Sequence, residues 1–118
     1  MSKEKHPPLL TPEELERIAG RFKVLGEPMR LRILQAVCKE PRSVSEIVLA
    51  VGSTQANVSK HLALLTAGGV LARRKNGQCV YYAVKDKLAV TLCELVRAQL
   101  TEQRIHDAQT MVSHHSRR

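Results

Sequence analysis

Between residues 55 and 61 the chain carries five polar side chains that can form hydrogen bonds: Gln55, Asn57, Ser59, Lys60 and His61. Their amide, hydroxyl, ammonium and imidazole groups can bond to the edges of bases or to phosphates, and they add little to an apolar core. The chemistry that this cluster suggests is recognition of nucleic acid.

The same stretch is predicted to form a short amphipathic helix. Its apolar stripe consists of Val58, Leu62 and Leu65, widened by Ala63 and Leu64. These residues recur at helical spacing, so the polar cluster lies on the opposite face. A hydroxyl of Ser53 or Thr54 can cap the first turn, and the pair Gly68-Gly69 ends the helix.

A second helical pattern comes directly before it, with apolar residues Val44, Ile47, Val48 and Val51. Gly52 follows the last of them, where a left-handed cap residue belongs. Two short helices joined by a tight turn predict a helix-turn-helix, in which the second helix reads the bases.

A β-hairpin is predicted directly after the helix-turn-helix. Two runs rich in Val and Tyr flank a polar turn with Asn76-Gly77, a strong hairpin signal. A polar-faced helix by itself is more often an ordinary surface helix, but this order is that of a winged helix. The stretch from Ile47 to Lys85 also contains five Lys or Arg residues and no Asp or Glu, as expected of a surface that binds phosphates.

Three further helices are predicted around this motif. Thr11 to Glu14 combine an N-cap, a proline at the first helical position and a capping-box glutamate, and Pro28 opens a second helix that ends near Cys38. The last helix begins after Lys85 and follows a long apolar pattern of Leu88, Leu92, Leu95 or Val96, and Leu100. Pairing with a second copy would bury this stripe and that of the first helix.

Composition agrees with a small DNA-binding domain. The chain has 118 residues, 43% of them hydrophobic, and a net charge of +8, which favours an acidic partner. It has no membrane-length apolar run and no signal-peptide pattern, so we expect no membrane association and a cytoplasmic protein. We predict a flexible tail at residues 1–10, one domain at residues 11–105 and a flexible basic tail at residues 106–118.

Over roughly residues 15–100, the sequence resembles the ArsR/SmtB family of bacterial winged helix-turn-helix repressors. The stretches LGEPMRLRIL and SVSEIVLAVGSTQANVSKHLALLTAGGVLARRKNGQCVYYAV carry the resemblance. It implies a mainly α fold with a small hairpin, in the order ααααββα. It also implies a homodimer, held by its first and last helices, that binds an operator and is released by an inducer. The DNA contacts implied are Thr54, Gln55, Asn57, Ser59, Lys60, His61, Arg73, Arg74 and Lys75.

The family's metal-sensing motifs do not carry over. Ser43 and Ser45 stand where metal-sensing members have cysteines, and hydroxyls are poor ligands for soft metals. The positions of the zinc site on the last helix hold Asp86, Leu88, Gln99 and Glu102, with no imidazole. No cofactor is required for the fold, and the metal, if any, is unknown.

Three cysteines, an odd number spread along the chain, do not suggest a disulfide framework. Members that sense reactive sulfur pair cysteines at the positions of Gln35 and Thr101. Cys38 and Cys93 lie one and about two turns away, so they are either a shifted thiol sensor or two small buried residues. A histidine site at His106, His114 and His115 is a further alternative.

The sequence therefore predicts a homodimeric, sequence-specific repressor that binds an inverted repeat in double-stranded DNA. A small inducer, either thiol-reactive or a soft metal or metalloid, would release it. The alternative is a winged helix that serves protein assembly without inducer sensing, for which a recognition face of mixed charge is expected. No Cys/His pair with a third orienting group is readable, so we predict that the protein is not an enzyme.

Overall fold

The computed structural model describes the backbone of residues 9–116 and the side chains of residues 9–112. These residues form α1 (Pro12–Leu25), α2 (Pro28–Val37), β1 (Arg42–Ser43), α3 (Val44–Val51), α4 (Gln55–Ala67), β2 (Leu71–Asn76), β3 (Cys79–Val84) and α5 (Lys87–Ser116). The predicted order of helices and hairpin is confirmed, and β1 is an addition. The predicted domain boundaries stay a prediction, and residues 1–8 of the predicted tail lie outside the described residues.

The chain divides into two compact units, one ending at Lys85 and one beginning at Asp86. In the first unit, α2, α3, α4 and the start of the hairpin supply the core. Its fully buried side chains are Ile33, Val37, Ile47, Val58, Leu62, Leu65, Val70 and Leu71. Burying each of them stabilises the fold by about 1.5–3 kcal/mol, and four of them, Ile47, Val58, Leu62 and Leu65, belong to the helix-turn-helix.

Polar side chains define where the helices begin. Thr11 and Glu14 form the predicted capping box of α1, and Ser43 and Glu46 form another at α3. The carboxylate of Glu27 caps α2 by accepting from the backbone N–H of Met29 at 2.5 Å. Gly52 ends α3 with a φ of 68°, the left-handed cap that its position predicts.

The three strands form an antiparallel sheet in the order β1-β3-β2. Ser43 ends β1, opposite Tyr81 of β3, and it is also the N-cap of α3. The first helix of the helix-turn-helix therefore starts directly from the sheet, which ties the hairpin to the motif. Two residues of strand have no readable alternation, and this is why the sequence did not predict β1.

The second unit contains α5, which begins after Asp86; the Asp86 carboxylate accepts from the N–H of Leu88 at 3.0 Å. The predicted long last helix is confirmed, and it continues through residue 106 to Ser116. It exposes a series of large apolar side chains: Leu88, Leu95, Val96, Leu100, Ile105, Met111 and Val112. Among the described residues, neither α5 nor any other helix is long and apolar enough to cross a membrane.

Candidate nucleic-acid interface

The N-terminal turn of α4 is organised by its own polar side chains. The hydroxyl of Thr54 accepts from the backbone N–H of Asn57 at 3.1 Å and caps the helix. The side-chain amide of Asn57 donates to the hydroxyl of Ser53 at 3.0 Å, and Asn57 is half-buried. Two predicted DNA contacts, Thr54 and Asn57, therefore also hold the turn, and a base would have to compete for the Asn57 amide.

The exposed surface of α4 is narrower than the sequence predicts. Its polar members are Gln55, Ser59 and Lys60, and two small residues, Ala56 and Ala63, are exposed beside them. Positions 55, 59 and 63 are four residues apart and so form one row along the helix. The predicted widening of the apolar stripe by Ala63 and Leu64 is wrong, because both side chains are exposed.

The prediction that His61 contacts DNA is contradicted by its burial. His61 is 5% exposed and lies on the core face of α4 with Val58, Leu62 and Leu65. Its Nε2 atom is 3.9 Å from a carboxylate oxygen of Glu27, at the start of α2. The spacing 58, 61, 62, 65 is that of a buried helical stripe, so the position of His61 in the pattern was a better guide than its polarity.

The wing, the hairpin of β2 and β3, carries the predicted contacts Arg73, Arg74 and Lys75, and all three are exposed. Asn76 pairs with Cys79, so the turn is the two-residue loop Gly77-Gln78. Gly77 has a φ of 68° and Gln78 does not have a positive φ, the pattern of a type II′ turn with glycine at the first central position.

The cations of the wing lie on two faces of the sheet, because successive side chains of a strand alternate. Arg73 and Lys75 share one face and are paired with Tyr82 and Val80. Arg74 is on the other face, opposite Tyr81. These cations are adjacent in the sequence, but the alternation of the strand separates them.

The two faces differ in their charged surroundings. The pKa of Tyr81 is raised by an electrostatic interaction with the neighbouring Cys79 and by a hydrogen bond to Cys79, and less by desolvation and by Glu46. Arg74 therefore shares its face with groups that carry or can acquire negative charge. On the other face, Arg42 of β1 extends the row of Tyr82 and Arg73 across all three strands. No local sequence pattern marks Arg42 as part of this surface, and its guanidinium is paired with the Glu40 carboxylate at 3.4 Å.

Comparison with known proteins agrees with this geometry. A family model described as a helix-turn-helix domain matches residues 25–74. The chain is 38% identical over 64 residues to Rv0081 of Mycobacterium tuberculosis, a protein named as an uncharacterized HTH-type transcriptional regulator; this alignment spans 53% of the chain and 56% of Rv0081. Superposed on the crystal structure of Rv0081, the fold covers 81% of this chain and 99% of that chain, with 30% identity and a TM-score of 0.70.

Two further solved structures are similar. One is the homodimeric winged helix-turn-helix domain of Mb0332 from Mycobacterium bovis, described as a possible ArsR-family transcriptional regulator; the match has 29% identity, covers 78% of this chain and 85% of that chain, and has a TM-score of 0.70. The other is the antimony-specific transcriptional repressor AntR, with 27% identity, coverage of 85% and 91%, and a TM-score of 0.75.

The chain belongs to the ArsR/SmtB family. Its fold is the winged helix-turn-helix of that family, with α4 as the recognition helix and β2 and β3 as the wing. The matched proteins of the ArsR/SmtB family are transcriptional regulators and not enzymes, in agreement with the sequence-based prediction.

Ser43, at a position that corresponds to a family sensing site, has a structural role here. Ser43 uses its hydroxyl to accept from the N–H of Glu46 at 3.2 Å, so it serves as a helix cap. Within the described part of the chain, no three His, Cys, Asp or Glu side chains are grouped as metal ligands. The side chains of His114 and His115 lie outside the described residues.

The cysteines differ in their exposure. Cys38 is exposed and its thiol donates to the carbonyl of Gln35 at 3.1 Å, so the alternative that it is a small buried residue is wrong for this chain. Cys93 is half-buried on α5 and Cys79 is exposed on the wing. The thiol pair of Cys38 and Cys93 stays a prediction.

Proposed function

We propose that this protein is a transcriptional repressor that binds double-stranded DNA sequence-specifically as a homodimer on an inverted repeat. The observation that carries the proposal is the exposed row of α4 at positions 55, 59 and 63. This row and the wing both lie within residues 47–85, which contain no acidic residue. A helix with this face fits the major groove, and the surrounding cations bind phosphates without reading sequence.

Base reading is assigned to the side chains that α4 leaves free of the core. The amide of Gln55, at the first position of α4, can bond an adenine through two hydrogen bonds. Ser59 can donate to or accept from a base edge, and Lys60 can bind a guanine or a phosphate. The exposed methyl of Ala56 suits contact with the methyl group of thymine.

The test is selection of duplexes from a random library, followed by affinity measurements on the selected operator and on a scrambled duplex over a salt series. Gln55→Ala should lose about 1–3 kcal/mol of discrimination at one base pair of each half-site, and Lys60→Ala should weaken binding to both duplexes. Failure of the wild-type protein to select any sequence would contradict the proposal and favour a protein-assembly role.

The homodimer is supported by apolar surface on α1 and on α5. Leu15, Ile18 and Phe22 are exposed on α1, at helical spacing, and Phe22 is 57% exposed. The exposed apolar side chains of α5 continue over most of its length. A monomer seldom leaves this much apolar surface in water, and a two-fold pairing would bury it. Half-sites about one helical turn apart, roughly 34–36 Å, follow from that symmetry.

Release by a small inducer completes the proposed function, and its chemistry is thiol-reactive or that of a soft metal or metalloid. The exposed thiol of Cys38 supports a thiol-reactive inducer, because a sensor cysteine must be reached from solvent. Operator release would be titrated with persulfide, arsenite, zinc and nickel, on wild type, Cys38→Ser, Cys93→Ser and a chain truncated after Thr101. Wild-type responses from both serine variants would reject the thiol sensor, and a response lost only on truncation would assign sensing to the histidines.

A further inference from the structure

The C-terminal end of the recognition helix is held by α1. The carbonyl of Gly68, the residue that caps α4, accepts a hydrogen bond from the Arg21 guanidinium at 3.0 Å. A cation at this end also interacts favourably with the helix dipole and satisfies a carbonyl that has no partner within the helix. Arg21 therefore links α1 to the end of α4.

Close packing adds to this hydrogen bond. A Cβ atom at Gly68 would lie 2.9 Å from both methyl groups of Val24 and 3.2 Å from the carbonyl oxygen of Leu64. The φ of Gly68 is −80°, which any residue can adopt, so glycine is required here for space. The space beside Gly68 is therefore occupied by Val24 of α1, and a larger residue at position 68 would displace one of the two helices or the Val24 side chain.

The remainder of α1 is largely uncovered in the first unit. Leu25 is the buried residue of this helix, while Leu15, Ile18 and Phe22 are exposed. One side of α1 therefore carries the apolar face proposed for the dimer, and another side carries the contact with the recognition helix.

We propose that Arg21, Val24 and Gly68 form a joint between α1 and α4 that positions the recognition helix. The position of α1 then determines how well α4 discriminates its operator from other sequences. This inference rests on the proposed function. Base reading requires α4 to be placed to within about 0.5 Å, and a rigid helix transmits a displacement at one end to its whole length. Arg21 is a positioning residue in this joint, and a second copy that covers α1 orients α4 through it.

The packing contact is tested with Gly68→Ala, Val24→Ala and the double variant. Gly68→Ala should lower operator affinity about tenfold or more, comparable to the loss of one base contact, and leave affinity for scrambled duplex nearly unchanged. The double variant removes the Val24 methyls that the new Cβ would meet, so it should recover most of the operator preference. Gly20→Ala is the matched control, because a Cβ at Gly20 meets nothing within 4 Å and should change neither affinity.

The hydrogen bond is tested separately with Arg21→Lys and Arg21→Met, so the proposal does not depend on the folding of one variant. Lysine keeps a donor and the charge and should keep most of the operator preference, whereas methionine has no N–H donor and should lose it. All affinities are measured well below the melting temperature, above the dimer dissociation constant of each variant. Two results would contradict the proposed joint. One is a Gly68→Ala protein that has a lower melting temperature but still prefers the operator to the scrambled duplex as strongly as the wild type. The other is a double variant that does not recover this preference. If the wild type selects no sequence, the proposed function itself fails first.

Discussion

Lys60 and His61 are neighbours in the chain, but α4 directs them to opposite environments. Lys60 is exposed on the face proposed to bind DNA, whereas His61 lies in the core near Glu27. Within the described residues, the buried Nδ1 atom of His61 has no hydrogen-bond partner. The imidazole of His61 therefore contributes to the packing of α4 on α2, whereas the ammonium group of Lys60 is available to bind DNA.

Replacing each by alanine should separate these roles. His61→Ala leaves a cavity at a buried position of α4, so it should lower the free energy of unfolding by about 1–3 kcal/mol. Lys60→Ala should leave stability unchanged and weaken binding to any duplex. Urea denaturation and duplex titration of both variants provide the measurement. A His61→Ala protein with wild-type stability but an altered base preference would show that His61 does contact DNA.

At the scale of elements, α3 depends on its capping box. The backbone N–H of Ser43 donates to the Glu46 carboxylate at 2.9 Å and lowers the pKa of that carboxyl. Desolvation raises the pKa of Glu46, but by less than this hydrogen bond lowers it. The Ser43 hydroxyl and the charge of Arg42 lower the pKa further. Ionised Glu46 therefore stabilises the start of the helix-turn-helix.

The sign of the shift gives the pH dependence. Because the pKa of Glu46 is lower in the folded protein, its contribution is complete above the ordinary glutamate pKa and is lost as pH falls through the lowered value. Glu46→Gln keeps a capping-box side chain without the charge. The difference in free energy of unfolding between wild type and this variant should be present near about pH 7 and diminish as the pH falls below the ordinary glutamate pKa of about 4.3, as measured by urea denaturation. A difference that does not change with pH would contradict the prediction.

The wing gives a second prediction at this scale. Arg73 and Lys75 share a face, and Arg74 lies on the face that holds Tyr81 and is influenced by Glu46. Arg73→Ala with Lys75→Ala should therefore reduce the log–log salt slope of DNA binding by about two, and Arg74→Ala should reduce it by less than one. Equal reductions for each charge removed would indicate that the wing inserts edge-on, with both faces against phosphates.

At the scale of the whole molecule, the exposed apolar faces of α1 and α5 predict the oligomeric state. Leu95 is 62% exposed on α5, and an unpaired carboxylate in an apolar interface is strongly unfavourable. Leu95→Glu should produce a folded monomer with much weaker operator binding, detected by sedimentation and duplex titration. Leu49 of α3, which is 83% exposed, provides the control, and Leu49→Glu should remain a dimer. Two dimeric variants, or a monomeric wild type, would reject α5 as part of the interface.

The sequence by itself determined the order of the helices, several of their ends and the hairpin, because these depend on interactions between residues close in the chain. The capping residue Thr11, a cap for α4 at Ser53 or Thr54 and the left-handed Gly52 were readable in this way. It also determined that residues 47–85 carry one sign of charge, which favours a phosphate-bearing partner.

The tertiary structure decided which polar side chains remain available to a ligand. Burial of His61 depends on α2 packing over it, and the row that Arg42 forms with Tyr82 and Arg73 depends on the pairing of the unpredicted β1 with β3. The contact between Gly68 and Val24 joins residues 44 positions apart, and nothing in the local pattern of either helix encodes it. Each of these features comes from contacts between residues far apart in the chain. Such contacts decide which polar residues are buried and which stay exposed, and the local sequence pattern does not.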